Sequence, residues 1–355
     1  MLVKTHWKGK VMKIYLLFDC PNYSNDKQWL EKYLNKKYSN CVEVVTISKV
    51  LSELHKKGIK GKIYTYLILV RQSFSAIIHS KPGDVIVCWW RLSGLITNAI
   101  SILFGNKRYI ISLNWLSPLS TDKKIVKLID KVFNNKKCKL TCNTFSSIKK
   151  WEEWIGYNLN NKFYIMPDVY DEKEEFTEPS IKKNKYCFTG GMNNRDWVFL
   201  NKLAAKMPDI IFVAVANKKD YLSSVERTQS NVHIYFDITP NDYYEKMKNA
   251  SIFLLPLKDD KVAGLINILK SAQFGIPCIV NNTDSTKQYY IEHDLLLDKD
   301  VENWSNCIKY LLNDDEYYLE ITKKFQTNIY RNFSPQNAVE KIESIISDLN
   351  KEERR

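Results

Sequence analysis

Two adjacent glycines and an arginine stand close together in the second half of the chain. Gly190 and Gly191 end a short apolar run, and Arg195 follows them after a few polar residues. Glycines at the carboxyl end of a buried strand let backbone amides come close to a ligand. An arginine beside them can hold a phosphate through two parallel hydrogen bonds. The pattern indicates a site for a phosphorylated ligand, and a tight turn with Arg195 on the surface is the alternative.

Further along the chain, a second stretch has the pattern of an anion site. The apolar run Leu254–Leu257 leads into a polar loop, and small residues then open a helical pattern. The first turn of a helix exposes unpaired N–H groups, and the helix dipole adds partial positive charge. This arrangement suits a diphosphate, whereas a plain helix start without a ligand is the alternative. The candidate residues are Ala263, Gly264 and Leu265, and the polar loop before them contains Asp259 and Asp260.

The next segment fixes the direction of that helix. Gly275 ends the helical pattern and Pro277 begins another apolar run, so helix and strand must pack across a minimal turn. Polar residues 281–284 then follow the strand, and open α/β sheets bind ligands at the carboxyl ends of their strands. Thr283 is therefore another candidate binding residue.

Aromatic residues follow two predicted strands in the first half. Trp89, Trp90 and Arg91 come after one strand, and Trp115 follows the next. Aromatic rings at strand ends suit the flat apolar faces of sugars, and Arg91 could contact a phosphate. Packing in the core is the alternative for the tryptophans.

The elements that position these residues alternate between strand-like and helix-like stretches from end to end. This alternation predicts an α/β protein with parallel sheets. A length of 355 residues exceeds what one core usually supports, and apolar periodicity lapses over 168–185. We expect an N-terminal extension over 1–11, a Rossmann-like domain over 12–170, and a second over 171–355 with a helical end.

The amino-acid composition limits the kinds of partner and the cellular location that we expect. The net charge of +13 favours nucleic acid, anionic lipid or phosphorylated small molecules, but no nucleic-acid-binding module is visible. The eight cysteines include no CxxC pair, which favours free thiols in a reducing cytosol over disulfides or zinc. Without a signal-peptide pattern or an apolar run long enough to span a membrane, we expect a cytoplasmic protein, soluble or peripheral on the membrane.

The helical stretch 48–80 combines bases with Ile, Leu, Tyr and Phe. Such a stretch can lie on an anionic membrane surface, and a solvated helix packed on its domain is an equal alternative. Its bases are Lys49, Lys56, Lys57, Lys60, Lys62 and Arg71.

Several segments in the second half together resemble a known family. They are Asn231–Phe236, Asn241–Asn249, Ala250–Pro256, Ala263–Leu265 and Gly275–Val280. In order and spacing this set resembles the donor-binding half of retaining GT-B glycosyltransferases, and most of all glycosyltransferase family 4 (glycosyl transferases group 1). The likeness covers about residues 185–347 and implies two Rossmann-like, doubly wound domains facing a cleft.

The resemblance also implies roles. Gly190, Gly191 and Arg195 would lie at the diphosphate of a nucleotide-diphospho-sugar, and the amides of 263–265 would bind its phosphates. The acceptor, a saccharide or lipid-linked saccharide, would meet the first half, without a metal or other cofactor. The usual setting is bacterial surface polysaccharide synthesis.

One position departs from the family pattern. The family carries a glutamate that binds the nucleotide ribose in the helix that follows the loop, and Lys270 stands there in this sequence. For the acid that the family carries upstream of this glutamate, Asp259 and Asp260 are the nearest candidates, so the resemblance makes them candidate donor-binding residues. Lysine cannot accept hydrogen bonds from ribose hydroxyls but can pair with phosphate, so we count Lys270 with Arg195 as a candidate catalytic residue.

Other protein classes stay open to different degrees. A dehydrogenase is disfavoured because no GxGxxG follows a predicted strand. A sugar-nucleotide epimerase on a similar scaffold is an enzymatic alternative. Lys270 also leaves open a degenerate GT-B protein that acts as a non-catalytic partner.

Overall fold

The computed structural model describes residues 6–7, 10–18, 28–38, 42–45, 58–181, 186–191, 193–290 and 294–354. The chain forms two compact units. The first comprises Met1–Pro167 together with Pro335–Arg355, and the second comprises Asp168–Ser334.

The first unit contains a parallel six-stranded sheet in the order β4-β3-β5-β6-β7-β8. Continuous apolar runs form its central strands, which are buried along their whole length. A short antiparallel pair, β1 with β2, precedes the sheet. The strands are β1 (His6–Trp7), β2 (Lys10–Val11), β3 (Ile14–Leu17), β4 (Val42–Val45), β5 (Val85–Cys88), β6 (Tyr109–Ser112), β7 (Cys138–Cys142) and β8 (Phe163–Ile165).

Helices connect these strands, as parallel pairing requires. A 3₁₀ helix, Ser120–Ile125, precedes the helix Val126–Asn134. The helices of this unit are α1 (Gln28–Tyr38), α2 (Gly58–His79), α3 (Arg91–Leu103), α4 (Val126–Asn134), α5 (Phe145–Ile155) and the terminal α12 (Pro335–Arg354).

The second unit contains another parallel six-stranded sheet, in the order β11-β10-β9-β12-β13-β14. In chain order within the unit this is 3-2-1-4-5-6, the strand order of a Rossmann fold. Its strands are β9 (Tyr186–Gly191), β10 (Ile211–Ala216), β11 (Val232–Phe236), β12 (Ile252–Leu255), β13 (Cys278–Asn281) and β14 (Leu296–Leu297). Its helices are α6 (Trp197–Lys206), α7 (Lys218–Ser224), α8 (Pro240–Lys248), α9 (Leu265–Gln273), α10 (Val301–Asn313), α11 (Asp315–Asn332) and the 3₁₀ turn Lys287–Tyr289.

Helix α9 shows how the sequence orients the candidate site. Its buried side chains recur at helical spacing, Leu265, Ile268, Leu269 and Ala272, so one face packs on the sheet. The helix begins after Gly264, whose φ is +78°, and the chain turns at Gly275, whose φ is +66°. L-residues rarely adopt these left-handed values, so glycine sets both ends of the helix.

The predicted α/β class, with two Rossmann-like doubly wound halves, is confirmed. The terminal helix α12, which we expected in the C-terminal domain, groups instead with the first unit. It packs its apolar face there, and three polar contacts join it to that unit: Glu343 to Lys37 at 3.1 Å, Asp348 to Tyr164 at 3.0 Å, and Glu352 to Lys139 at 2.7 Å. Of the expected extension 1–11, the structure describes only β1 and β2.

Two expectations from composition, on membrane-spanning segments and on the cysteines, can be compared with the described residues. Within them, no helix is both long enough and apolar enough to cross a membrane. The described cysteines, at 88, 138, 142, 187, 278 and 307, are free thiols. Burial raises the pKa of the Cys88 and Cys278 thiols to about 12, so both are protonated at neutral pH. Cys20 and Cys41 lie outside the described residues.

We predict that Gly275→Ala destabilises the second unit more than Gly156→Ala destabilises the first. Both glycines have left-handed φ values, +66° and +86°, which cost an alanine about 1–2 kcal/mol. A Cβ at Gly275 would also lie 2.6 Å from the Thr177 carbonyl oxygen, whereas nothing lies within 4 Å of one at Gly156. Thermal unfolding of both variants tests this, and equal losses would show that the close contact relaxes freely.

Candidate functional site

The carboxyl ends of β9 and β12 are neighbours in the second sheet. The two strands pair in parallel register, with Thr189 beside Leu254. Strand order reverses between them, and open α/β sheets bind ligands at the carboxyl side of such a reversal. The structure therefore brings the Gly190–Gly191 stretch and the loop after Leu255 to one end of the sheet, although the two are distant in sequence.

Backbone hydrogen bonds join the segments that leave these two strands. Arg195 and Leu257 form an antiparallel bridge, the Asp196 amide donates to the Pro256 carbonyl (2.8 Å), and the Lys258 amide donates to the Asn194 carbonyl (3.0 Å). From β13, the Asn281 side-chain oxygen accepts from the Leu257 amide at 2.7 Å. The end of the sheet is thus held by bonds between three strand exits.

Arg195 lies beneath this end of the sheet and is only 2% exposed. Its Nε donates to the Gly190 carbonyl at 2.8 Å, and Nη1 donates to the Asn193 carbonyl at 3.0 Å. A Cβ placed on Gly191 would lie 2.4 Å from Nη2, and one on Gly264 would lie 2.5 Å from it. The guanidinium therefore lies directly against both predicted anion-binding turns. The alternative that placed Arg195 on the surface is wrong.

The charge of Arg195 is not balanced by a carboxylate among the described residues. Three exposed or half-exposed lysines near the strand ends each pair with an acid: Lys258 with Asp220, Lys261 with Asp259, and Lys299 with Asp196. Burial lowers the pKa of Arg195, because desolvation disfavours the charged form. A buried cation without a counter-ion is costly, so this end of the sheet favours an anion.

The N-terminus of α9 adds partial positive charge at the same place. Gly264 is its N-cap and offers no side-chain acceptor, so the amides of Leu265 and Ile266 have no partner within the helix. Leu265 is buried and anchors the turn, while Ala263 and Gly264 are half-buried. Together with the Arg195 guanidinium, these amides make a positively polarised end suited to a phosphate or diphosphate.

Two residues that the sequence analysis did not single out complete the arrangement. Tyr243 of α8 lies behind Gly190, where an added Cβ would come 2.5 Å from the ring. Its hydroxyl accepts a hydrogen bond from the Asn267 side-chain amide in the first turn of α9 at 3.0 Å. Glycine at position 190 is therefore required by the tyrosine ring, and Tyr243 links β9 to α9. Only the polar Asn267 inside an apolar helical pattern could have signalled this contact.

The remaining candidates of this unit hold two neighbouring segments, the loop between β12 and α9 and the turn after β13. Asp260 accepts from the Ser285 amide at 3.1 Å, and the Asp259 carbonyl accepts from the Asn194 side chain at 2.8 Å. Thr283 shares its hydroxyl with that of Thr286 at 3.0 Å and is half-buried. Asp259 and Asp260 thus tie the loop before Gly264 to Asn194 and Ser285, whereas Thr283 stabilises only its own turn.

Lys270 lies in an ion-pair cluster of its own. Its Nζ is 2.6 Å from Glu174 and 3.3 Å from Asp171, and its side chain is 13% exposed. Burial acts to lower its pKa, but the hydrogen bond and charge of Glu174, with those of Asp171, outweigh it and raise the pKa. Lys270 is thus a charged lysine already paired with two carboxylates, and it shares Glu174 with Lys248, whose Nζ lies 3.1 Å from that acid.

In the first unit, the four candidates for the acceptor side lie in different environments. Trp115 is completely buried, packs against Trp151 and Phe133, and donates its indole N–H to Ser112 at 2.8 Å. It therefore has no exposed face for a sugar, and the core explanation holds. Arg91 pairs with Asp122 at 3.1 Å and donates to the Ser117 carbonyl at 3.2 Å.

Trp89 and Trp90 follow β5 with different environments. Trp89 is half-buried and packs between Phe18 and Trp29, with ring centroids 5.7 and 6.1 Å apart. Trp90 is 38% exposed and starts α3 as its N-cap. Trp90 is the one member of this set with a large accessible aromatic surface.

The structure describes only some of the bases predicted in the helical stretch 48–80. Lys49, Lys56 and Lys57 lie outside the described residues, Lys60 and Lys62 fall in α2, and Arg71 is exposed on that helix. Within the described ranges, no three His, Cys, Asp or Glu side chains converge into a group that could hold a metal ion.

Comparison with known proteins gives structural neighbours but no sequence relatives. No protein-family model matches the sequence, and no curated protein does either. HepE from Anabaena, solved with UDP and glucose, is 14% identical with a TM-score of 0.64, covering 95% of this chain and 99% of its own. A UDP-forming α,α-trehalose-phosphate synthase from Burkholderia vietnamiensis is 8% identical with a TM-score of 0.64, covering 96% and 97%.

A third neighbour, from E. coli and bound to UDP-2-fluoro glucose, is 9% identical with a TM-score of 0.63, covering 95% of this chain and 99% of its own. At such identities the likeness establishes the fold. Nearly the whole length of each chain is matched. This chain has the GT-B fold, with two Rossmann-like domains.

Proposed function

We propose that this protein is a glycosyltransferase that takes a sugar from a nucleotide-diphospho-sugar bound in its second unit. The observation that carries the proposal is the buried, unbalanced guanidinium of Arg195 against Gly191 and Gly264, at the N-terminus of α9. This combination offers positive charge where a Rossmann-type sheet binds ligands.

The structural neighbours support a UDP-sugar as the donor. HepE was solved with UDP and with UDP-glucose, and the trehalose-phosphate synthase is named as UDP-forming. We propose UDP as the nucleotide and a hexose as the sugar. The acceptor in this proposal is a saccharide or lipid-linked saccharide of bacterial surface polysaccharide synthesis, made at the cytoplasmic face of the membrane.

The proposed chemistry depends on the departing diphosphate. Negative charge grows on its oxygens as the sugar–oxygen bond breaks, and fixed donors aimed at that charge lower the barrier. The amides at Gly264 and Leu265 would bind the phosphates, while Arg195 supplies charge that needs no reorganisation. We propose transfer with retention, as in family 4, without a metal, and with Trp90 on the acceptor side.

A second candidate function follows from Lys270. A lysine at position 270 cannot accept hydrogen bonds from a ribose, and its ammonium is already paired with Asp171 and Glu174. A GT-B protein that no longer transfers sugar and instead acts as a partner of an active enzyme would tolerate this change.

We predict that UDP and UDP-sugars raise the melting temperature of the purified protein without added metal, and that CMP does not. Ligand at about 100 times its Kd stabilises the bound fold by about 2.7 kcal/mol, which is several degrees for a unit of this size. A thermal-shift series over UDP, GDP, CMP and their sugar conjugates measures this. A well-folded sample without any shift would contradict donor binding.

We predict that Arg195→Met weakens UDP binding at least tenfold, or about 1.4 kcal/mol. The variant removes the buried charge behind the phosphate-binding amides. Arg195→Lys keeps a charge but loses the planar donors, so its affinity for UDP should lie between those of the wild type and Arg195→Met. Calorimetric titration measures the affinities, and Arg227→Met, at an exposed position of the same unit, is the control. Equal affinity of Arg195→Met and the control would place the diphosphate elsewhere.

We predict that Lys270→Glu destabilises the second unit by at least about 1 kcal/mol, because it sets a third carboxylate beside Asp171 and Glu174. The double variant Lys270→Glu with Glu174→Lys restores one pair but loses the pair of Glu174 with Lys248 (3.1 Å), so it should recover only part of the loss. Thermal unfolding of both, with Lys270→Met as the uncharged comparison, tests this. Unchanged stability of Lys270→Glu would show that the ion pairs contribute little.

A further inference from the structure

Helix α2 of the first unit is apolar on two opposite sides. Ile68, Leu69 and Ala76 face the core, where Ile68 and Leu69 pack against α3. The opposite side carries large apolar residues at helical spacing, four, three, four and four positions apart, so they form one outward stripe. Their exposed fractions are 55% for Ile63, 58% for Leu67, 44% for Val70, 43% for Phe74 and 53% for Ile78.

The end of α3 continues this stripe. Phe104 lies edge-on to Phe74 with ring centroids 5.7 Å apart, and it is 46% exposed. Leu103 beside it is 81% exposed, and Ile102 is 37% exposed. We call the stripe of α2 together with Ile102, Leu103 and Phe104 the outer apolar face. Single exposed apolar residues are ordinary, but a contiguous set of this kind marks an interaction surface.

The surrounding sequence is almost without acids. Residues 54–121 contain one acidic residue, Asp84, which is 5% exposed and accepts hydrogen bonds from the Lys13 and Lys81 amides. The same stretch carries these bases: Lys56, Lys57, Lys60, Lys62, Arg71, Lys81, Arg91, Lys107 and Arg108.

Several of these bases border the face. Arg71 is exposed and follows Val70 in α2, at the margin of the stripe. Lys81, just past the end of α2, and Lys107, just past Phe104, are also exposed. A backbone hydrogen bond from the Gly83 amide to the Lys107 carbonyl (3.0 Å) brings the two turns that carry these lysines together. The outer apolar face therefore has a basic rim.

The charge pattern selects the occupant. If two copies met through this face, bases would oppose bases with no exposed acid from the stretch to pair them, which disfavours a symmetric dimer. An anionic lipid surface instead offers negative headgroups to the rim and an apolar interior to the stripe. Tyr64 and Tyr66, 44% and 52% exposed, add side chains that suit the boundary between headgroup and acyl chain.

We propose that the outer apolar face docks the first unit on an anionic lipid surface, with α2 lying in the plane of the interface. It rests on the proposed function only in that a lipid-linked acceptor would lie on the same surface. Vesicle binding and UDP binding are separate measurements on one sample, so either can fail alone.

The test is co-sedimentation of the full chain with vesicles of phosphatidylcholine, with and without phosphatidylglycerol. We expect binding to the mixed vesicles, weaker binding at high salt, and at least a tenfold loss for Leu67→Gln with Leu103→Gln. Leu222→Gln is the matched control, because Leu222 is 59% exposed but lies in the second unit. Arg71→Gln with Lys107→Gln should reduce the preference for anionic vesicles.

Three results would overturn the proposal. The first is equal binding to neutral and anionic vesicles. The second is a Leu67→Gln, Leu103→Gln variant that binds as the control does, while its melting temperature shows that it is folded. The third is a dimer in light scattering that this double variant dissociates, which would make the face a contact between copies of the chain.

Discussion

The buried positive charge of Arg195 constrains the ligand-binding end of the second unit. A guanidinium that is 2% exposed has lost most of its hydration, and among the residues that the structure describes it gains only carbonyl acceptors, those of Gly190 and Asn193. Such burial costs several kcal/mol unless an anion compensates it. The surrounding backbone must therefore keep the charge enclosed and still present it to a ligand.

The glycines of the site follow from that requirement. A Cβ at Gly191 or Gly264 would collide with the guanidinium, and one at Gly190 would collide with the Tyr243 ring. The guanidinium and the tyrosine ring already require glycine at these positions, whether or not a ligand binds. Glycine at positions 191 and 264 is therefore evidence for a buried cation under the turns, and the preference for a phosphate comes from that cation and from the end of α9.

Much of the second unit could be predicted from local patterns. The β12, α9 and β13 segments carry apolar runs, a glycine start and a Gly–Pro turn, all properties of near neighbours in sequence. The burial of Arg195 could not be predicted in this way, because it depends on strand order placing residue 264 beside residue 191. The partners of Lys270 lie in 168–181, which lacks periodicity, and three-residue β8 is too short to show a pattern. The sequence could not decide whether Trp115 packs in the core or contacts a sugar, because the rings that surround it come from α4 and α5, which are distant in sequence.

The grouping of α12 with the first unit has a consequence for biosynthesis. The second unit is one continuous stretch, whereas the first consists of two pieces that flank it. A chain leaving the ribosome can complete the second unit while the first still lacks a helix, although domains emerging earlier usually fold earlier. Until α12 arrives, the surfaces that later hold Ile342, Ile345 and Leu349 stay uncovered. The nascent first unit is thus the part of this protein that would most need protection by a chaperone.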